Sequence, residues 1–202
     1  MLDAALRPLI DPPLGRLAKV FVAADISANT VTWAGFVIGM LALPLLATQQ
    51  YGLALIAIAM NRLADGLDGA IARKKGMTDY GGYLDIALDF IFYAGVVFGM
   101  TLARPDEAIY GAFLLWTFMG TAATFLAYAI LAAKYGETTE IRGSKSLYYL
   151  GGLAEGTETI LVLTLFCLVP SWFAPLCIIF GLMCIVTAAT RIMAAKNRFG
   201  KS

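Results

Sequence analysis

No histidine occurs anywhere in this chain of 202 residues. Its absence removes imidazole general bases and His-ligated metals, so any acid–base or metal work falls to carboxylates. Cysteine is scarce as well. Cys167, Cys177 and Cys184 each lie in an apolar stretch without metal-ligand spacing, and they read as small buried hydrophobes. Charge is thin: Asp, Glu, Lys and Arg make up 14% of residues, against about 25% in an ordinary soluble domain. The formal net charge is +1, so there is no basic face for nucleic acid, and none is expected as a partner. The N-terminal stretch MLDAALRPLIDPPLGRLAKVFVAADIS has neither a basic-then-apolar leader nor a small-residue cleavage site, and is expected to stay in the mature protein.

What the chain has in excess is apolar surface, with 60% hydrophobic residues and a mean hydropathy of +0.77. A bilayer span needs about 20 apolar residues. Segments of that kind run over 31–50, 51–72, 82–103, 109–133, 147–169 and 172–195, separated by polar or Gly/Pro breakers. The expected fold is therefore all-α, a polytopic bundle of six transmembrane helices with the lipid bilayer as partner. Arg7, Arg16 and Lys19 precede the first span; Arg73, Lys74 and Lys75 follow the second; Lys134, Arg142 and Lys145 follow the fourth; Lys196, Arg198 and Lys201 follow the last. The opposite loops carry only Arg104, so both termini are expected in the cytoplasm. Within LGRLAKVFVAA, Leu14, Leu17, Val20 or Phe21, and Ala24 form one stripe with Arg16 and Lys19 away from it. That pattern suits a short interfacial helix, or equally one packed on the bundle. The expected division is 1–28 as a cytoplasmic or interfacial segment and 29–202 as the membrane domain.

Against this background the stretch DGLDGAIARKKGMTDYGGYLDIALDF is anomalous. Asp65 and Asp68 are three apart, and Asp85 and Asp89 four apart, so each pair shares a helix face. A short polar turn separates the pairs, which makes the two helices antiparallel neighbours with converging carboxylates. Asp65 stands about 12 Å of helix from Arg73 at roughly 1.5 Å per residue, in the membrane zone but near its cytoplasmic edge. An ionised aspartate at a span's centre costs on the order of 2.5–3.5 kcal/mol, less near the interface. The nearby cations are Arg62, Arg73, Lys74 and Lys75, too few within reach to balance four carboxylates. Either some aspartates are protonated, as in an ion- or proton-coupled transporter, or divalent cations sit between them. Oxygen ligands without His or Cys favour Mg2+, Mn2+ or Ca2+, and paired ions are what phosphoryl-transfer sites use.

The same residues resemble the signature of the CDP-alcohol phosphatidyltransferases. That signature is Asp, two residues, Asp-Gly, two residues, Ala-Arg, a spacer, then Gly, three residues, Asp, three residues, Asp. Here it reads Asp65, Asp68-Gly69, Ala72-Arg73, Gly81, Asp85 and Asp89. The resemblance implies transfer of a phosphatidyl or other substituted phosphate group from CDP-diacylglycerol or a related CDP-alcohol to a hydroxyl acceptor. CMP is released, in phospholipid biosynthesis. It implies two divalent cations, Mg2+ or Mn2+, held by Asp65, Asp68, Asp85 and Asp89, with Asp89 also the catalytic base. Gly69, Arg73 and Thr78 match contacts to the CDP-lipid. Asn29 and Thr32 match the family's entry to the first span, where Ala28 replaces a common proline. The spacer after Arg73 is one residue shorter than in many members, and Phe90 stands where many carry a basic residue. Members are often homodimers. The expected location is a bacterial inner membrane with the site on the cytoplasmic side.

Two further clusters bear on the acceptor. Arg142, Lys145 and Arg191 are expected to line a cytoplasmic pocket for a small polar alcohol. Glu155 and Glu158, three apart in the fifth span, either meet acceptor hydroxyls or pair with Arg191 or Arg62 to brace the bundle. Asp79 is expected to cap the third span.

Overall fold

The computed structural model describes residues 2–136 and 152–200, and among them there is no strand. The chain forms α1 (Leu2–Ala23), α2 (Ala28–Met40), α3 (Ala42–Ala47), α4 (Tyr51–Lys75), α5 (Asp79–Ala103), α6 (Ala108–Lys134), α7 (Gly156–Leu168) and α8 (Phe173–Phe199). Short 3-10 turns, Pro105–Glu107 and Pro170–Trp172, lead into α6 and α8. Each opens with a proline, whose missing N–H is harmless at a helix start.

Among the described residues, four helical stretches are long and apolar enough to cross a membrane: Ala28–Ala47, Asp79–Ala103, Pro105–Lys134 and Pro170–Phe199. The second segment of the sequence reading is α4, long enough but dense in charge; the fifth, α7, has 13 residues. The expectation of a helix through 147–169 needs correction. Residues 147–151 lie outside the described residues, and the helix begins only at Gly156. Glu155 therefore precedes the helix instead of sharing a helical face with Glu158, and its carboxylate accepts the Gly152 N–H at 2.9 Å.

The first segment is broken into α2 and α3 at Leu41. Pro44 explains the break, because it has no N–H to offer the carbonyl four residues back. Two helix ends close on non-glycine residues in the left-handed region, Asp25 (φ 56°) and Gln49 (φ 60°). At each the N–H of the left-handed residue and the N–H after it turn back in a Schellman pattern, Asp25 to Val22 and Ile26 to Phe21, then Gln49 to Leu46 and Gln50 to Leu45.

The main core gathers Ala54, Ile58, Phe92, Leu163, Phe166 and Phe180 from α4, α5, α7 and α8. All three cysteines are buried, as their apolar surroundings implied. A second cluster joins Leu14 and Ala18 of α1 to Val31, Leu67, Ala70 and Ile71. The stripe expected on α1 is thus corrected in part: Leu14 and Phe21 face this cluster, joined by Ala18, while Leu17 and Val20 are exposed. The determinant is α4, whose Gly66 leaves room for Leu14; a β-carbon there would lie 2.7 Å from Leu14 Cδ1. Outward faces of the other helices carry Val37, Ile56, Ile109, Trp116 and Ile130.

Candidate active site

The site grows from the periodicity of two helices. On α4, Asn61, Arg62, Asp65 and Asp68 follow at steps that keep to one side; on α5, Asp85, Asp89 and Tyr93 recur every fourth residue. Thr78 starts α5 as its N-cap, its hydroxyl accepting the Gly81 N–H at 3.0 Å, so the cap expected of Asp79 belongs to Thr78. Gly76 (φ 104°) makes the turn between the helices.

Both helices contribute their aspartates to one cleft. α2 lies against both. It reaches α4 through Gly35 and Gly39, spaced as Gly-x-x-x-Gly: a β-carbon at Gly35 would collide with Ala64 Cβ, and one at Gly39 would lie 2.7 Å from Asn61 Nδ2. Thr32, Gly35 and Phe36 of α2 then line a cleft together with Asn61, Arg62, Asp65, Asp68, Asp85, Leu88 and Asp89.

Inside this cleft Asp65, Asp68 and Asp85 offer carboxylate oxygens that all lie within 4.8 Å of one another. Ligands on opposite sides of a hard divalent ion stand about 4–5 Å apart, given bond lengths of about 2.0–2.6 Å. The three aspartates therefore fit one shared cation, and the donor set, oxygen only, suits Mg2+, Mn2+ or Ca2+. Asp68 is buried, and its Oδ2 lies 2.5 Å from the Thr32 hydroxyl oxygen.

Asp89 lines the same cleft but is held differently. Its Oδ1 accepts from Arg62 Nη2 at 2.7 Å and its Oδ2 from the Tyr93 hydroxyl at 2.8 Å. Arg62 also approaches Asp65 at 3.5 Å and donates to Asn61 Oδ1 through Nε at 2.8 Å. Asn61 in turn donates to the Gly35 carbonyl at 3.0 Å. Neither Asn61 nor Tyr93 was singled out from the sequence. Tyr93 stands four residues after Asp89 and Asn61 seven before Asp68, so helical spacing was the signal available.

Of the residues matched to the CDP-lipid, Thr32 reaches the aspartates directly. Asn29 and Thr78 come together over Gly81, where a β-carbon would lie 3.2 Å from Asn29 Oδ1 and 3.0 Å from Thr78 Oγ1. The cap of α2 is Ser27, which leaves the Asn29 and Thr32 side chains for other work. A β-carbon placed at Gly69 would make an ordinary contact with Arg73 Nη1 at 3.5 Å. Arg191 is not among the cleft-lining residues: it is buried, donates to the Thr121 carbonyl at 3.1 Å and sits 5.5 Å from the Phe125 ring centroid. Arg142 and Lys145 lie outside the described residues.

The sequence model of the CDP-alcohol phosphatidyltransferases matches residues 25–192. The chain is 51% identical over 193 residues to the inner membrane protein YnjF of Escherichia coli (strain K12), covering 95% of this chain and 94% of that one. It is 32% identical over 162 residues to the archaetidylinositol phosphate synthase of Pyrococcus horikoshii, covering 78% of each. Its fold resembles the crystal structure of Mycobacterium tuberculosis phosphatidylinositol phosphate synthase with CDP-DAG bound, at a TM-score of 0.72 and 18% identity, over 91% of this chain and 93% of that one. The same enzyme in complex with manganese and citrate matches at a TM-score of 0.71 and 20% identity, over 89% and 87%.

Proposed function

This chain belongs to the CDP-alcohol phosphatidyltransferase family, and from that premise we propose that it transfers a phosphatidyl group from CDP-diacylglycerol, or a related CDP-alcohol, to the hydroxyl of a small polar alcohol. In the transfer the alcohol oxygen bonds to the phosphorus bearing the lipid, the bond from that phosphorus to CMP breaks, and CMP leaves. The observation that carries this reading is the meeting of Asp65, Asp68 and Asp85, from two helices, within 4.8 Å. Membership of the family favours this reading over a transporter.

Asp65, Asp68, Asp85 and Asp89 are the residues to hold two divalent cations, Mg2+ or Mn2+, whose charge would stabilise the pyrophosphate as it cleaves. Manganese in the mycobacterial relative supports that assignment. Asp89 takes the proton of the attacking hydroxyl. Asn29, Thr32, Gly69, Arg73 and Thr78 bind the CDP head; Gly69 admits it against the backbone and Arg73 pairs with phosphate. Arg191, with Arg142 and Lys145, receives the acceptor, a role that requires the α6–α8 region to adjoin the cleft.

The protein is an integral membrane protein in this reading, with α4 and α7 completing six spans and α1 at the interface. The inner-membrane name of the E. coli relative supports that location. The basic last turns of α4, α6 and α8 favour a cytoplasmic site. Residues 29–202 act as one catalytic domain, preceded by 1–28, and the protein works as a homodimer.

The test is direct. Purified protein is incubated with CDP-diacylglycerol, Mn2+ or Mg2+, and a panel of glycerol 3-phosphate, serine and inositol phosphate, and CMP is measured. Release with one alcohol, abolished in Asp89→Asn, is expected. No release with any alcohol or cation would overturn the assignment.

A further inference from the structure

Arg62 is the cation of the cleft whose surroundings are most fully built. Its Nε and Nη2 reach Asn61 Oδ1 at 2.8 and 2.5 Å, Nη2 reaches Asp89 Oδ1 at 2.7 Å, and Nη1 reaches the Tyr93 hydroxyl at 3.1 Å. Its guanidinium carbon lies 5.0 Å from the Phe92 ring centroid and 5.4 Å from that of Tyr93. Asn61 is itself tied to the Gly35 carbonyl. A continuous line of contacts thus runs from the α2 backbone, through Asn61 and Arg62, to Asp89. A cation serving only to offset negative charge needs no such seating. A planar guanidinium held on three sides, in contrast, sets a direction.

Tyr93 completes the arrangement. Its hydroxyl accepts from Arg62 and donates to Asp89 Oδ2, so both oxygens of one carboxylate are gripped by two neighbours that also grip each other. A carboxylate oxygen offers two lone-pair directions. Each oxygen of Asp89 keeps one for the cleft.

We propose that Arg62 and Tyr93 are positioning residues, which together fix the Asp89 carboxylate in the orientation it needs to take a proton in the cleft. The proposal rests on the reading of Asp89 as the base. Without the clamp, the Asp89 carboxylate would be free to turn about its side-chain bonds. A misplacement of about 1 Å at a reacting group costs on the order of a hundredfold in rate.

The test uses the full-length protein in nanodiscs with Arg62→Lys, Arg62→Met and Tyr93→Phe. Turnover of CDP-diacylglycerol is measured with whichever alcohol of the panel above the wild type uses fastest, and Mn2+ binding is measured separately by electron paramagnetic resonance. Loss of the Tyr93 hydroxyl bond should lower kcat roughly tenfold, with the KM for CDP-diacylglycerol within about twofold. Arg62→Met should lower kcat about a hundredfold, and Arg62→Lys should recover about tenfold of that. Mn2+ binding at the site formed by Asp65, Asp68 and Asp85 should change far less than kcat in all three variants, or strengthen in Arg62→Met as a competing positive charge is removed. Unchanged kcat in Tyr93→Phe and Arg62→Lys overturns the proposal, and those two conservative variants decide the matter if Arg62→Met does not fold. Mn2+ binding lost in step with activity overturns it too, because the pair would then be scaffold for the ion site. A wild-type protein that releases no CMP sinks the transferase reading and this inference with it, whereas an active wild type with unimpaired variants sinks this inference alone.

Discussion

The Thr32 hydroxyl oxygen lies 2.5 Å from Asp68 Oδ2, so a side chain of α2 touches one of the three converging aspartates of α4 and α5. The same hydroxyl is 3.0 Å from the Ala28 carbonyl, and its single proton cannot serve both. An ionised carboxylate is the stronger acceptor. Thr32→Val keeps the shape and removes the donor, and a bond to a charged group contributes about 1.5–3 kcal/mol, so kcat/KM should fall roughly tenfold to a hundredfold. Thr32→Ser should stay near wild type. Steady-state CMP release distinguishes the outcomes, and a fully active Val variant would mean that the contact has no functional weight.

α2 reaches α4 because two glycines let it. A β-carbon at Gly35 would collide with that of Ala64, and no flexible side-chain end is there to yield. Gly35→Ala should therefore destabilise by about 1–3 kcal/mol, as overpacking does. Adding Ala64→Gly should return much of the loss, since the two sites share the contact. Thermal unfolding of the single and double variants in one detergent measures this. Equal melting temperatures for Gly35→Ala with and without Ala64→Gly would show that the collision lies elsewhere.

A cation bound by the three aspartates must stabilise the folded protein. At a hundred times its dissociation constant the gain is about 2.7 kcal/mol. For a chain of this size that corresponds to a rise in Tm of roughly 5–10 °C. Mn2+ should produce the rise in wild type and chelation should reverse it. Asp85→Asn should abolish it. Asp106→Asn, in the turn before α6, should leave it intact. A rise that survives Asp85→Asn would move the ion away from this cleft.

Asp25, in the turn between α1 and α2, pairs with Lys75 at the end of α4 at 2.6 Å. The pairing holds the Asp25 carboxyl below its ordinary value of 3.8. Its stabilisation is therefore fully present above about pH 4 and is lost as pH falls through the lowered value. Asp25→Asn isolates the charge, because Asn also tolerates the left-handed backbone found there. Wild type should be slightly the more stable at neutral pH, and the two should converge in acid and in high salt. Melting curves from pH 3 to pH 7 test it; a gap that widened toward acid would contradict the sign.

Much of this was readable before any coordinates, and the reason is local. The aspartate spacings of three and four pin each pair to one helix face whatever else the chain does. The same holds for the basic last turns, whereas the cap of α5 falls one residue earlier than expected, on Thr78 instead of Asp79. What could not be read is how faces meet. The stripe read on α1 joined Leu14 to Leu17, whereas packing against α4, where Gly66 makes room for Leu14, buries Leu14 with Ala18. Glu155 and Glu158 were three apart on paper, but the helix starts between them.

By itself, then, the order of residues determined that the chain is helical, that its surface is apolar, and that its acids cluster in two periodic pairs. Each of these follows from backbone geometry repeated over a few residues and from the cost of leaving polar groups in oil. Only the tertiary structure decided that α2 sits against both acidic helices, bringing Thr32 to Asp68, and that Arg62, seated on Asn61, reaches across to Asp89. Thr32 and Asp68 are 36 positions apart and Arg62 and Asp89 are 27 apart, each pair on separate helices, and these contacts depend on how closely three helices can approach. That approach is set by small side chains such as Gly35, Gly39 and Ala64, whose effect appears only when the helices pack.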